Sequence, residues 1–165
     1  MKYLEKQIVF REIPEEISLS YLITGCPQRC LGCHSSDSWS ALKGKELDEF
    51  SLRQDLKHFQ RGITCVLFMG GDWDAAALNR LLLAVKELGL KTALYSGADD
   101  VHSDLKNNLD YLKLGSYQKE LGGLESITTN QILWHLPTKT ILNSYFTQHH
   151  QGGKNDQAQR RSIKK

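Results

Sequence analysis

The sequence predicts an α/β fold built on a mostly parallel sheet. Three observations carry this expectation. Short apolar runs bounded by glycine recur along the chain, amphipathic stretches of helical spacing lie between them, and the two kinds of segment alternate in order. Strand, helix, strand, helix, strand, helix, strand is the pattern of a parallel sheet closed by right-handed crossovers.

The elements follow in sequence. Ser18–Thr24 (SLSYLIT) is an apolar run ending at Gly25 and reads as the first strand. Asp48–Gln60 carries Phe50, Leu52, Leu56 and Phe59 at roughly helical spacing. Gly62–Met69 (GITCVLFM) is apolar and β-branched between glycines, the mark of a buried strand. Asp74–Leu88 is the clearest helix, with Asp74 placed to cap it and Gly89 to end it. Lys91–Tyr95 is a strand closed by Ser96-Gly97, Val101–Asn108 a modest helix, and Leu109–Leu114 a strand ending at Gly115. Thr129–Leu133 is short and fits either class.

In parallel sheets ligands bind at the carboxyl ends of the strands. Three features fall at those ends: a cysteine-rich loop after the first strand, Gly70-Gly71-Asp72 after the second, and Ser96-Gly97 after the third. They are expected to converge on one edge of the sheet.

Composition bounds the rest. The chain of 165 residues is one domain's worth, at about 100–200 residues per domain. Apolar residues make up 40% and charged residues 24%, which excludes a disordered or fibrous chain. The longest apolar runs, Cys65–Met69 and Leu81–Val85, are far too short to span a membrane. The opening MKYLEKQIVFREIPEE has no apolar segment of secretory type, so a cytoplasmic location is expected. A net charge of +2 gives no ground for a nucleic-acid partner. From about Gln148 the chain turns polar and basic (Lys154, Arg160, Arg161, Lys164, Lys165), so a folded domain over 1–147 and a frayed tail over 148–165 are expected.

Four cysteines divide as three plus one. Cys65 lies inside an apolar strand and reads as core. Cys26, Cys30 and Cys33 lie within eight residues, in the spacing C-x3-C-x2-C. Thiolates are soft ligands that suit iron and zinc. Three of them hold three irons of a cubane and leave the fourth open to a small molecule, which favours a catalytic cluster over a closed electron carrier. The zinc alternative needs a fourth ligand, for which His34 is at hand. Adjacent Cys33 and His34, however, rarely reach one metal together.

The segment GCPQRCLGCH (Gly25–His34) resembles the signature loop of the radical S-adenosylmethionine enzymes. Gly70-Gly71-Asp72 is similar to that superfamily's GGE-type motif, whose carboxylate and backbone contact the methionyl amine. Short length, Ser38-Trp39, Gly44, Tyr95-Ser96-Gly97, Leu114-Gly115-Ser116-Tyr117 and Thr128-Thr129-Asn130-Gln131 resemble the activating proteins of anaerobic (class III) ribonucleoside-triphosphate reductase, over about residues 18–134. The chain departs from that family in three places. Arg11-Glu12-Ile13-Pro14 stands where a glycine-rich stretch is usual, Leu114 replaces an Asp, and Trp73 replaces a proline.

The resemblance implies a small partial (βα) barrel of radical SAM type. It implies a [4Fe-4S] cluster on Cys26, Cys30 and Cys33, and S-adenosylmethionine held by Gly32, Cys33, His34, Gly70, Gly71, Asp72, Ser96 and Asn130. The implied activity is reductive cleavage of S-adenosylmethionine to a 5′-deoxyadenosyl radical, which installs a glycyl radical on the catalytic subunit of the anaerobic reductase. A flavodoxin- or ferredoxin-like donor is the implied reductant. The rival readings are a radical SAM enzyme acting on another glycyl-radical enzyme or a small molecule, and a non-catalytic iron–sulfur or zinc-binding module. Beyond the motifs, Trp73 is expected to pack beside the site, Asp99, Asp100 and Asp104 to be solvated, and His149-His150 to serve no metal.

Overall fold

The computed structural model describes residues 1–59 and 61–147. Eight strands form one sheet: β1 (Lys2–Val9), β2 (Ser18–Ile23), β3 (Lys45–Glu46), β4 (Cys65–Met69), β5 (Lys91–Tyr95), β6 (Tyr111–Leu114), β7 (Ile132–His135) and β8 (Thr140–Ile141). Their spatial order is β3-β1-β2-β4-β5-β6-β7-β8. Three helices accompany them: α1 (Glu49–Phe59), α2 (Ala75–Lys86) and α3 (Ser103–Asn107).

The expected alternation holds at the centre. β2, β4, β5 and β6 are parallel neighbours, and α1, α2 and α3 each fall in one of the three connections between them. The parallel core is flanked by antiparallel strands, β1 and β3 on one side and β7 and β8 on the other. The connections explain it. A parallel pair needs a crossover of a dozen or more residues, usually a helix. Residues 10–17 only turn the chain back, and 115–131 contain no helix. The fold is therefore mixed α/β.

β1 escapes prediction because KYLEKQIV is half polar and half exposed. It is recruited by pairing with β2 rather than by its own pattern. The segment 129–133, which reads either way, enters the sheet as the start of β7. Helix α2 begins and ends as expected: the Asp74 carboxylate accepts a hydrogen bond from the Ala77 amide at 3.1 Å, and Gly89 takes φ +72°. Helix α3 is shorter than expected, starting after His102, whose Nδ1 accepts from the Asp104 amide.

The two faces of the sheet differ. Leu19, Tyr21, Val66, Phe68, Leu94 and Leu112 point to the helices, where they bury Leu52, Leu56, Leu78 and Leu82. The other face, with Cys65, Leu67, Ala93, Tyr111 and Leu133, is covered by loop residues such as Ile13 and Leu124. That second face also takes polar groups. Buried Glu16 accepts hydrogen bonds from Lys91 and from the Tyr111 hydroxyl. Cys65 is fully buried, as the apolar run around it predicts, and burial pushes its thiol up to about 12. No helix among the described residues is long and apolar enough to cross a membrane. The tail from residue 148, with His149 and His150, lies outside the described residues.

Candidate metal centre

Four parallel strands end at one edge, and the loops leaving them build the site. The loop after β2 carries the three cysteines. Its base is fixed by the carbonyl of Ser38, which accepts from the Gly25 amide at 2.7 Å and the Cys26 amide at 3.4 Å. Gly25 has φ +92°, and a Cβ there would stand 3.2 Å from Ala41 Cβ. Arg29 and Gly32 also take positive φ, and the Cys33 amide donates to the Cys30 carbonyl at 3.1 Å. These turns reverse the chain within the ten-residue loop that carries the cysteines. All three are half-buried and free. The Cys33 sulfur accepts from the Ser35 amide at 3.4 Å.

The loop after β4 carries Gly70-Gly71-Asp72. The Gly70 amide donates to the Tyr95 carbonyl at 2.8 Å, tying this loop to the end of β5. Both glycines take positive φ, +90° and +103°. Trp73 lies over Gly70, with ring atom Cη2 only 2.7 Å from where a Cβ would be, and its Nε1 stands 3.6 Å from the corresponding point on Gly25. The indole thus joins the cysteine loop to the glycine loop, as its expected packing role requires. Burial raises the Asp72 carboxyl above its usual range, and the Ser96 hydroxyl opposes that rise. Asp72 and Ser96 are therefore neighbours, as the strand ends predict.

The remaining candidates close the edge. Ser96 donates its amide to the Lys113 carbonyl at 2.9 Å and accepts from the Ala98 amide at 3.0 Å. Gln28 of the cysteine loop packs on Gly97, and His34 packs against Tyr117 with ring centroids 5.2 Å apart. Asn130 donates from Nδ2 to the Ser116 carbonyl at 2.9 Å, while its buried Oδ1 has no hydrogen-bond partner. A buried acceptor left open among the described residues calls for a partner, which a water or a bound ligand can supply. Gly32, Cys33, His34, Gly70, Gly71, Asp72, Ser96 and Asn130 all lie on loops at this one edge.

One residue of the site is not singled out by the motifs. Lys113 sits in β6 on the same face as Tyr111, only 9% exposed. Burial pushes its ammonium down to about 8, and Cys30 and Cys33 oppose that shift. The signal in the sequence is a lysine at an inward position of the strand YLKL. On the other side of the loop, burial raises the Cys26 thiol, with Cys30 and Asp72 adding to the rise.

Among the described residues no three His, Cys, Asp or Glu side chains close on a point suited to a single metal ion. A cluster makes a different demand, since each thiolate takes a separate iron. Three free, half-buried thiols on one loop, with an amide already directed at one sulfur, form a donor set that fits an iron–sulfur group. The family model for the 4Fe-4S single cluster domain matches residues 16–122, well over half of the chain. The chain belongs to that family. No curated protein matches it. The matched span of this 4Fe-4S domain starts just before β2 and ends beyond β6, so it contains the whole parallel core and all three clustered cysteines.

Proposed function

We propose that this 4Fe-4S domain is a radical SAM activase, with a partial-barrel architecture, that installs a glycyl radical on anaerobic ribonucleoside-triphosphate reductase in the cytoplasm. The observation that carries the reading is the meeting of C-x3-C-x2-C with Gly70-Gly71-Asp72 at one edge of a parallel core. Cys26, Cys30 and Cys33 hold three irons of a cubane and leave the fourth for a ligand. A [4Fe-4S] cluster held there supplies the low-potential electron that cleaves S-adenosylmethionine to methionine and the 5′-deoxyadenosyl radical.

The chain's own groups then bind and orient. Gly70 and Gly71 present bare backbone to the methionyl end, because a side chain at Gly70 would collide with Trp73. The Asp72 carboxylate pairs with the methionyl ammonium in a half-buried setting where water competes little. Ser96 stands beside Asp72, and the open Oδ1 of Asn130 accepts a hydrogen bond from the ligand. Gly32 and His34 flank the third cysteine on the adenine side. A low-potential flavodoxin- or ferredoxin-like protein delivers the electron, and the hydrogen atom comes from a glycine of the reductase.

The test is anaerobic reconstitution with iron and sulfide, followed by reduction in the presence of S-adenosylmethionine. Wild type is expected to turn brown, to change its EPR signal on adding S-adenosylmethionine, and to release 5′-deoxyadenosine. Cys26→Ala, Cys30→Ala and Cys33→Ala are each expected to abolish that release. A variant that still cleaves overturns the assignment of its cysteine as a cluster ligand, and a brown wild type whose spectrum ignores S-adenosylmethionine overturns the enzyme reading in favour of an electron carrier. A glycyl radical EPR doublet on an added class III reductase identifies the partner.

A further inference from the structure

Two lysines reach into the loop-covered face of the sheet, and they are treated differently. Lys91 has a carboxylate, Glu16. Lys113 has none among the described residues. Its Nζ donates to the Gly115 carbonyl at 2.9 Å, an oxygen it shares with Gln131 Nε2 at 3.3 Å, and stands 5.9 Å from the centre of the Tyr95 ring. An ammonium has three donors, and no other hydrogen bond from Nζ exists among the described residues. A buried charge without a partner is costly, so proteins pair such groups or use them to hold an anion.

The place of Lys113 shows which anion. β6 is the fourth of the parallel strands, and its carboxyl end lies beside the cysteine loop: the Lys113 carbonyl accepts from the Ser96 amide, the adjoining Gly97 packs on Gln28 of that loop, and Tyr117 just beyond β6 lies against Gly32 and His34. Cys30 and Cys33 are the acidic groups that act on its ammonium. As iron ligands both cysteines are thiolates, and the ensemble they hold gains a further negative charge on one-electron reduction. We propose that Lys113 is the internal counter-charge of the cluster, a positioning residue that stabilises the reduced form and so raises the reduction potential. This rests on Cys26, Cys30 and Cys33 holding a 4Fe-4S cluster.

The experiment is an EPR-monitored dithionite titration of reconstituted wild type and Lys113→Met, without S-adenosylmethionine. Methionine keeps the length and apolar stem of lysine while removing the charge. The iron-free variant is expected to resist urea at least as well as wild type, since replacing a buried charge that has no carboxylate partner by an apolar group removes a desolvation penalty. The loaded variant is expected to have a more negative midpoint, with about a tenfold lower ratio of reduced to oxidised cluster at a fixed potential, or about 59 mV for one electron. Lys113→Arg, which keeps the charge, is expected to restore the wild-type side of that shift. An unchanged midpoint in a fully loaded Lys113→Met overturns the proposal. So does an unchanged midpoint accompanied by weaker S-adenosylmethionine binding, which assigns the charge to the methionyl carboxylate instead. A wild type that takes up no iron removes the cluster reading itself, a result distinct from either.

Discussion

Gly70→Ala tests the idea that the glycine loop is shaped by close backbone approach. Gly70 has φ +90°, a conformation that costs an L residue about 1–3 kcal/mol. The new Cβ would also stand 2.7 Å from Trp73 Cη2 and 3.0 Å from Cζ3. The indole is 36% exposed and can slide outward, so the steric part is set at the low end of overpacking costs, about 1 kcal/mol. The sum, about 2–4 kcal/mol, is a large share of the roughly 5–15 kcal/mol that holds a domain folded. It corresponds to a fall in Tm of about 4–16 °C. Urea unfolding of the iron-free protein, followed by circular dichroism, measures it. The Gly70→Ala/Trp73→Ala double variant separates the two parts. The steric part disappears with the ring, so the double variant should cost about 1 kcal/mol less than the sum of the singles, while the backbone part remains. A single-variant cost below about 1 kcal/mol, or strict additivity, refutes the reasoning.

Other outcomes follow from the same geometry. Asp72→Asn is expected to leave iron content unchanged and to weaken S-adenosylmethionine binding by about 1.5–3 kcal/mol, read by isothermal titration of the reconstituted protein; unchanged affinity would remove Asp72 from the ligand site. Cys65→Ala is expected to load the same iron as wild type and to cost about 1 kcal/mol of stability, since its thiol is buried in the sheet core; loss of iron would show that Cys65 is a ligand. Burial raises the Glu16 carboxyl, but hydrogen bonds from Lys91, Thr64 and Tyr111 outweigh it and hold it below its ordinary 4.5. The depressed value means that its stabilisation is full above pH 4.5 and is lost as pH falls through the folded-state value. Glu16→Gln should therefore unfold more easily at neutral pH and show a shallower acid limb below that point, and identical acid limbs would contradict the pairing.

The parallel core was legible because its residues state their own environment. The CVLFM stretch of GITCVLFM and the TAL stretch of KTALY are buried on both faces and read as apolar runs, and α2 carries both its cap and its stop. The flanks were not legible in the same way. KYLEKQIV is half polar because β1 is half exposed, and β3 and β8 are two-residue strands created by their partners. For the site, the cysteines, Gly70-Gly71-Asp72 and Ser96 were legible as motifs, because ligand binding at strand ends is written in consecutive residues. Ser38 resembled a family position, but its work, a carbonyl holding the first turn of the cysteine loop, is done by backbone and leaves no mark in side-chain chemistry.

The sequence by itself determined which atoms are available for chemistry: three soft thiols at fixed spacing, a carboxylate after paired glycines, and an alternation that sends all of them to strand ends. Covalent neighbours can be read directly. What only the tertiary structure decided is which distant groups face those atoms. Trp73 bridging Gly25 and Gly70, and, among the described residues, Asn130 with an open buried oxygen and Lys113 buried without a carboxylate partner, all depend on strand order and register. Those are set by the packing of the whole sheet, because a shift of one residue in a strand turns every side chain to the opposite face.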